Sequence, residues 1–178
     1  MLVKILGRLI ESTEKDGLPA GSAWRVQIID AGVSQNGNDY PLDVLHKAAH
    51  LFEGTKILAR SDEEHIRNDN VSAELVIGWI EDVKPNSTGL EGTAVFHGGG
   101  KSGAIRESIL ASWNLGKKNL VGRSIVADGI LSRVKKTAGR VLRVVESIIS
   151  VRSVDVVVNP AAGGRFLQLV AAFDPAEE

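Results

Sequence analysis

Apolar and polar residues alternate over Trp24–Ile29 (WRVQII), the period-two pattern of a strand with one face buried. A turn cluster follows, SQNGND at 34–39, in which Asn36-Gly37 suits backbone with positive φ. The period then changes. Leu42, Leu45, Ala49 and Phe52 fall on one helical stripe, with Asp39 placed to cap, Pro41 suited to the first turn and Gly54 to the stop. Thr55–Ala59 reads as a strand, and a charged loop, SDEEHIRN, carries His65. Leu75–Val83 and Leu90–Phe96 read as two more strands about a turn at Pro85–Gly89. Ile105, Ile109 and Trp113 predict a second helix over 103–115, capped by Ser102 and closed by Gly116. Strands are expected again at Leu120–Ala127, Val141–Ile149 and Ser153–Val158. Pro160 ends the ladder, and the acidic end Asp174–Glu178 is expected to fray.

This succession predicts an α+β chain of six to eight short strands with flanking helices. Mostly antiparallel pairing is expected, closed or nearly closed as a β-barrel, because closure removes exposed strand edges. At 178 residues the expectation is a single domain over 1–178 with a sizeable core. Nineteen glycines against one tyrosine and one methionine fit a turn-rich chain.

Composition narrows the chemistry. A net charge of -1 gives no general electrostatic reason to bind nucleic acid or an anionic membrane. The absence of cysteine removes thiol catalysis, disulfides and thiolate metal sites. No apolar run approaches the roughly 20 residues of a membrane span. Met1–Ile10, interrupted by Lys4, Gly7 and Arg8, does not read as a signal peptide, so a cytoplasmic location is expected.

Four histidines limit the available bases. His46 and His50 share a helix face at a spacing that suits a metal, but Lys47 stands where a metalloprotease helix would place glutamate, and a solvated face explains both. His97 precedes a triple glycine and reads as a loop residue. His65, after a strand in an acidic loop, suits a positioned base, though most loop histidines are merely solvated. Gly100-Lys101-Ser102 resembles the end of a phosphate-cradling loop, but Val95 occupies the position where the full spacing requires glycine. Ser124 lies within an apolar run, LVGRSIV, with Gly122 on the same strand face, which would let a substrate backbone approach. A buried strand serine bonded to a neighbour explains the same pattern.

Several segments occur in a telling order: NGN-D-Y-P at 36–41, the loop carrying His65, VIGWI at 76–80, GRSI at 122–125 and SVDVVVNPAAGG at 153–164. Together they resemble the tailed-phage prohead (capsid maturation) proteases, similar in fold to the herpesvirus assembly proteases, over roughly residues 24–170. The resemblance implies an assemblin-like barrel and a serine endopeptidase with Ser124 as nucleophile and His65 as base. Many relatives carry their acid seven residues before the proline. Here Ser153 holds that place and Asp155 stands one pleat on, so Asp155 is the implied third member, with Glu146 and Glu64 as weaker substitutes. The implied reaction is acyl transfer without metal or cofactor. The implied substrates are scaffold, major capsid protein and the protease itself, inside the immature capsid in the bacterial cytoplasm, with homo-oligomers as possible regulated forms. No nucleic-acid or membrane partner is implied. The reading from a different class is a protease-like barrel acting as a non-enzymatic scaffold or assembly factor.

Overall fold

The computed structural model describes residues 18–69 and 71–169, with backbone only over 132–137. The expectations for Met1–Ile10 and for Asp174–Glu178 fall outside the described residues. Strand β1 spans Ala23–Asp30, β2 Gly32–Val33 and β3 Asn38–Tyr40. Helix α1 is Leu42–Phe52, β4 Lys56–Leu58, α2 Asp62–Arg67, β5 Val76–Pro85 and β6 Gly89–Phe96. Helix α3 is Gly100–Asn114, followed by β7 Gly122–Thr137, β8 Arg140–Val157 and β9 Arg165–Leu169.

Two sheets form, a five-stranded one ordered β4-β5-β6-β1-β9 and a four-stranded one ordered β2-β3-β8-β7. The strand ladders are antiparallel except β3 with β8, and the isolated bridge of Ala59 with Val156 is parallel too. The expected barrel is not closed by continuous ladders. One isolated bridge marks each seam, Ala59 with Val156 and Arg123 with Gly164. At the first seam the chain leaves β4 after three residues and turns into α2. At the second, Pro160 and the glycines at 163–164 interrupt the chain before β9 begins, so neither seam has length for a ladder.

The core lies between the sheets and is roofed by α1 and α3. Trp24, Val26, Ile28 and Ile29 of β1 meet Ile77, Ile80, Leu90, Phe96, Val154, Val156 and Phe166, with Leu45 and Phe52 from α1 and Ile109 from α3. Trp24 packs edge-on against Trp113 at 5.1 Å and Phe166 at 5.5 Å. Strict alternation would send Ile29 outward. A bulge between Gln27 and Ile29 shifts the register, so Ile28 and Ile29 are both buried.

Local expectations hold with specific changes. Gly37, Gly54 and Gly116 take positive φ where turns and helix stops were read. Asp39 does not cap α1; it lies in β3, and Pro41 occupies the cap position. Ser102 does not cap α3 either. That helix starts at Gly100, and the buried Ser102 hydroxyl donates toward the carbonyls of Ile77 and His97. The hydroxyl is thereby engaged inside the core, which removes the phosphate-loop reading of Gly100-Lys101-Ser102. The two strands expected after residue 140 are one 18-residue strand, because β8 stays paired with β7 along its whole length through four register shifts. Among the described residues, no helix is long and apolar enough to cross a membrane.

Candidate active site

His65 was expected in a loop but sits on the short helix α2. The reason is local. Ser61 and Glu64 form a reciprocal capping box, each side chain accepting from the other's backbone N–H. Asn68 closes the helix in the left-handed conformation, its N–H reaching the carbonyls of Glu64 and His65. The S-x-x-E signature at 61–64 was present in the sequence and is the signal for this helix.

A six-residue helix is marginal by itself, and three tethers hold it. Asp62 accepts from the backbone N–H groups of Val158 (2.8 Å) and Asn159 (3.1 Å) and from the Asn159 side chain (2.8 Å). Burial pushes the Asp62 carboxyl up, but the Asn159 side chain and then the two amides outweigh it, so the net direction is below the ordinary carboxylate value. Arg60, just before the helix, bonds Asn68 Oδ1 and the Asp69 carbonyl with one nitrogen. Finally His65 Nδ1 meets Asp155 Oδ2 at 2.7 Å.

Ser124 and Asp155 are direct cross-strand partners on β7 and β8, so their side chains rise from the same face of the sheet. Asp155 is fully buried, whereas Ser124 is 8% exposed and the His65 side chain 10%. The carboxylate therefore lies behind, with hydroxyl and imidazole toward solvent. A carboxylate accepts only, so the Nδ1 contact places the imidazole proton on Nδ1 and leaves the Nε2 lone pair available. Among the described residues no hydrogen bond joins Ser124 to His65.

Arg60 is the member that the sequence did not announce. Its Nε donates to Asp155 Oδ2 at 2.8 Å, one Nη joins the same oxygen, and that Nη also reaches Ser153 Oγ at 3.4 Å. Both side chains of this ion pair are 0% exposed. A lone buried carboxylate would be costly, and Arg60 supplies the compensating charge. The contact spans 95 residues of sequence, and nothing in the run ILARSD marks the arginine.

Ser153, one pleat from Asp155, pairs with Val126 and its Oγ lies 3.4 Å from Arg60 Nη2. Glu64 belongs to the capping box, and Glu146 is an exposed β8 residue. Gly122 does not leave room for a substrate. A Cβ there would stand 2.6 Å from Pro160 Cγ and overlap the Gly164 carbonyl oxygen, so the glycine accommodates the protein's own 160–164 turn. His46 Nε2 donates to the Asn86 carbonyl, His50 Nδ1 contacts the Lys47 carbonyl, and His97 Nε2 meets the Val76 carbonyl.

Arg123, beside Ser124 but on the opposite strand face, is fully buried. Its guanidinium lies beside the rings of Phe96 (5.3 Å) and Phe166 (4.8 Å), and none of its three side-chain nitrogens has a hydrogen-bond partner among the described residues. Burial pulls its pKa down to about 9, with Asp155 opposing the shift.

No family model matches the sequence, and no curated protein matches it. The fold itself has a counterpart among phage capsid assembly proteases. One solved structure that shares it is the bacteriophage T4 capsid assembly protease, gp21, with a TM-score of 0.51 and 19% identity over 78% of this chain and 82% of that one.

Proposed function

We propose that the chain is a serine endopeptidase of phage capsid maturation. The observation that carries the reading is the single carboxylate of Asp155, which stands opposite Ser124 in register while it holds His65 by Nδ1. In the proposed mechanism Asp155 orients the imidazole, and His65 Nε2 takes the proton of the Ser124 hydroxyl as Oγ attacks a peptide carbonyl. The protonated imidazole then hands its proton to the leaving amine, and water releases the acyl-enzyme by the same route. Arg60 fixes Asp155 and α2 together, acting as a positioning residue. The fold shared with the T4 capsid assembly protease supports scaffold and capsid proteins as the substrate class and the prohead as the place of action. Cleavage of the protease itself belongs to the same proposal.

A fluorophosphonate probe tests the chemistry without any substrate. Mass spectrometry should find one adduct on Ser124, abolished in Ser124→Ala and in His65→Ala. Co-expression with candidate capsid and scaffold proteins should give processing that Ser124→Ala removes. Processing that persists in Ser124→Ala would overturn the proposal. The non-enzymatic scaffold reading draws on the missing Ser124–His65 hydrogen bond, a geometry that unliganded active sites often show. Assembly activity without any adduct on Ser124 would favour it.

A further inference from the structure

The distal half of the β7–β8 hairpin has a composition unlike the rest of the chain. Residues 129–145 include Arg133, Lys135, Lys136, Arg140 and Arg143 and contain no Asp or Glu, although the whole chain carries -1. The ribbon is closed by a two-residue turn, Ala138-Gly139, with positive φ at both positions, which matches the twist of a tight hairpin. Acidic residues occur only toward its base, Asp128 and Glu146 on the hairpin and Asp39 on β3. Asp128 is engaged by Arg152 and Ser150. Arg140 and Arg143 are exposed and have no acidic partner among the described residues.

Apolar side chains are exposed on the same ribbon: Ile130 (50%), Leu131 (47%), Val141 (57%) and Ile149 (60%). In addition, β7 is the edge strand of its sheet. Beyond the bridge at Arg123 its outer backbone groups face no other strand of the described residues. A long free edge invites pairing with another strand.

We infer that this ribbon is a docking arm for an extended acidic segment of a partner protein, with acidic and apolar residues alternating, added as a strand along the edge of β7. Each feature supplies a separate part of the recognition. The cations attract and orient an acidic chain. The exposed valine, leucine and isoleucines gain by being covered. The unpaired edge offers backbone hydrogen bonds. A nucleic acid would use the cations but leave the apolar side chains wet. The arm is separate from the Ser124 cluster, and its role stands whether or not Ser124 is a nucleophile.

The test uses the full chain carrying Ser124→Ala, so that no probe is cleaved. A fluorescein-labelled peptide alternating Glu and Val is titrated by anisotropy, beside a Glu/Ser peptide, a Lys/Val peptide and duplex DNA. The Glu/Val peptide should bind most tightly. Arg140→Glu with Arg143→Glu should weaken it by at least about tenfold, as loss of complementary charge does, and Val141→Ser by at least about threefold. Circular dichroism shows whether the variants fold. In the chain without arm substitutions, hydrogen exchange of the 125–137 amides should slow when the peptide is added, a readout that needs no variant. DNA binding as tight as the peptide and unmoved by Val141→Ser would overturn the inference in favour of a nucleic-acid arm. Failure to bind the Glu/Val peptide, or variants that aggregate without losing affinity, would overturn it in favour of charges that merely guard an edge strand.

Discussion

Ser124 and Asp155 face each other across the β7–β8 ladder, one 8% exposed and the other wholly enclosed. The hairpin sets the spacing between hydroxyl and carboxylate as a matter of strand register. The imidazole is brought in separately by α2. The first two groups therefore resist displacement, and the third depends on the tethers of a short helix.

Asp155→Asn should be severe for two distinguishable reasons. It removes the carboxylate bonded to Arg60 and leaves a buried guanidinium without that counter-charge, at a cost of about 3–5 kcal/mol in urea unfolding. It also replaces the charged acceptor at His65 Nδ1 by a neutral amide, whose NH2 can donate to that nitrogen and select the wrong tautomer, which should slow fluorophosphonate labelling of Ser124 by more than about 100-fold. Normal labelling in a folded Asp155→Asn protein would remove Asp155 from the proposed triad.

Gly164→Ala should damage the site from outside it. A Cβ at Gly164 would run into the Arg123 carbonyl oxygen, which is backbone and cannot swing away. The seam between β7 and β9 must open, one residue from Ser124. A destabilisation of about 1–3 kcal/mol is expected by the usual cost of overpacking, with slower labelling of Ser124. Gly100→Ala, where nothing lies near the added carbon, is a control for glycine replacement that leaves this seam untouched, although its positive φ carries its own strain.

Arg123→Met should stabilise the fold near neutral pH, by on the order of 1–4 kcal/mol, because it replaces a buried cation lacking hydrogen bonds among the described residues by an apolar chain beside two phenylalanines. The pH dependence follows from its depressed pKa. Between about 9 and the higher, ordinary arginine value, the unfolded chain holds a proton that the folded chain has released. The native protein's stability must then rise with pH through that window, and the penalty is fully present below it. The advantage of Arg123→Met should shrink correspondingly above pH 9. An advantage that does not change with alkaline pH would count against this account.

Asp62→Asn should loosen α2 and hence His65. The Asp62 carboxyl titrates below its ordinary value of 3.8 in the folded protein. Its stabilisation is therefore present above that value and is lost as pH falls through the lower, folded-state one. Unfolding curves for the native protein and Asp62→Asn should differ at pH 6 and converge as the carboxyl protonates. At neutral pH, labelling of Ser124 should be slower in the variant. Equal stability across the whole range would show that the Asp62 anchor contributes nothing.

Much of the architecture was legible because short-range chemistry determined it. The alternation of Trp24, Val26 and Ile28, the glycines at 37, 54 and 116, and the spacing of Ile105 and Ile109 each report on a few neighbouring residues. The capping box at Ser61–Glu64 is equally local, yet His65 was expected in a loop. By contrast, the Ile29 register, the fusion of two expected strands into β8 and the incomplete barrel seams depend on which strand lies alongside, and no window of residues contains that information.

The candidate site divides along the same line. By itself the sequence determined which groups were available: no thiol, four histidines, a serine in an apolar strand and an aspartate before Pro160, in an order resembling the prohead proteases. Only the tertiary structure showed that Asp155, already implied by the resemblance, touches His65, that Arg60 holds Asp155, and that Gly122 serves the 160–164 turn rather than a substrate. The physical reason is that a buried carboxylate is stable only where a charge and hydrogen-bond donors converge on it. Here the donors come from residues 60 and 65, some 90 positions away in the chain, and folding alone brings them together.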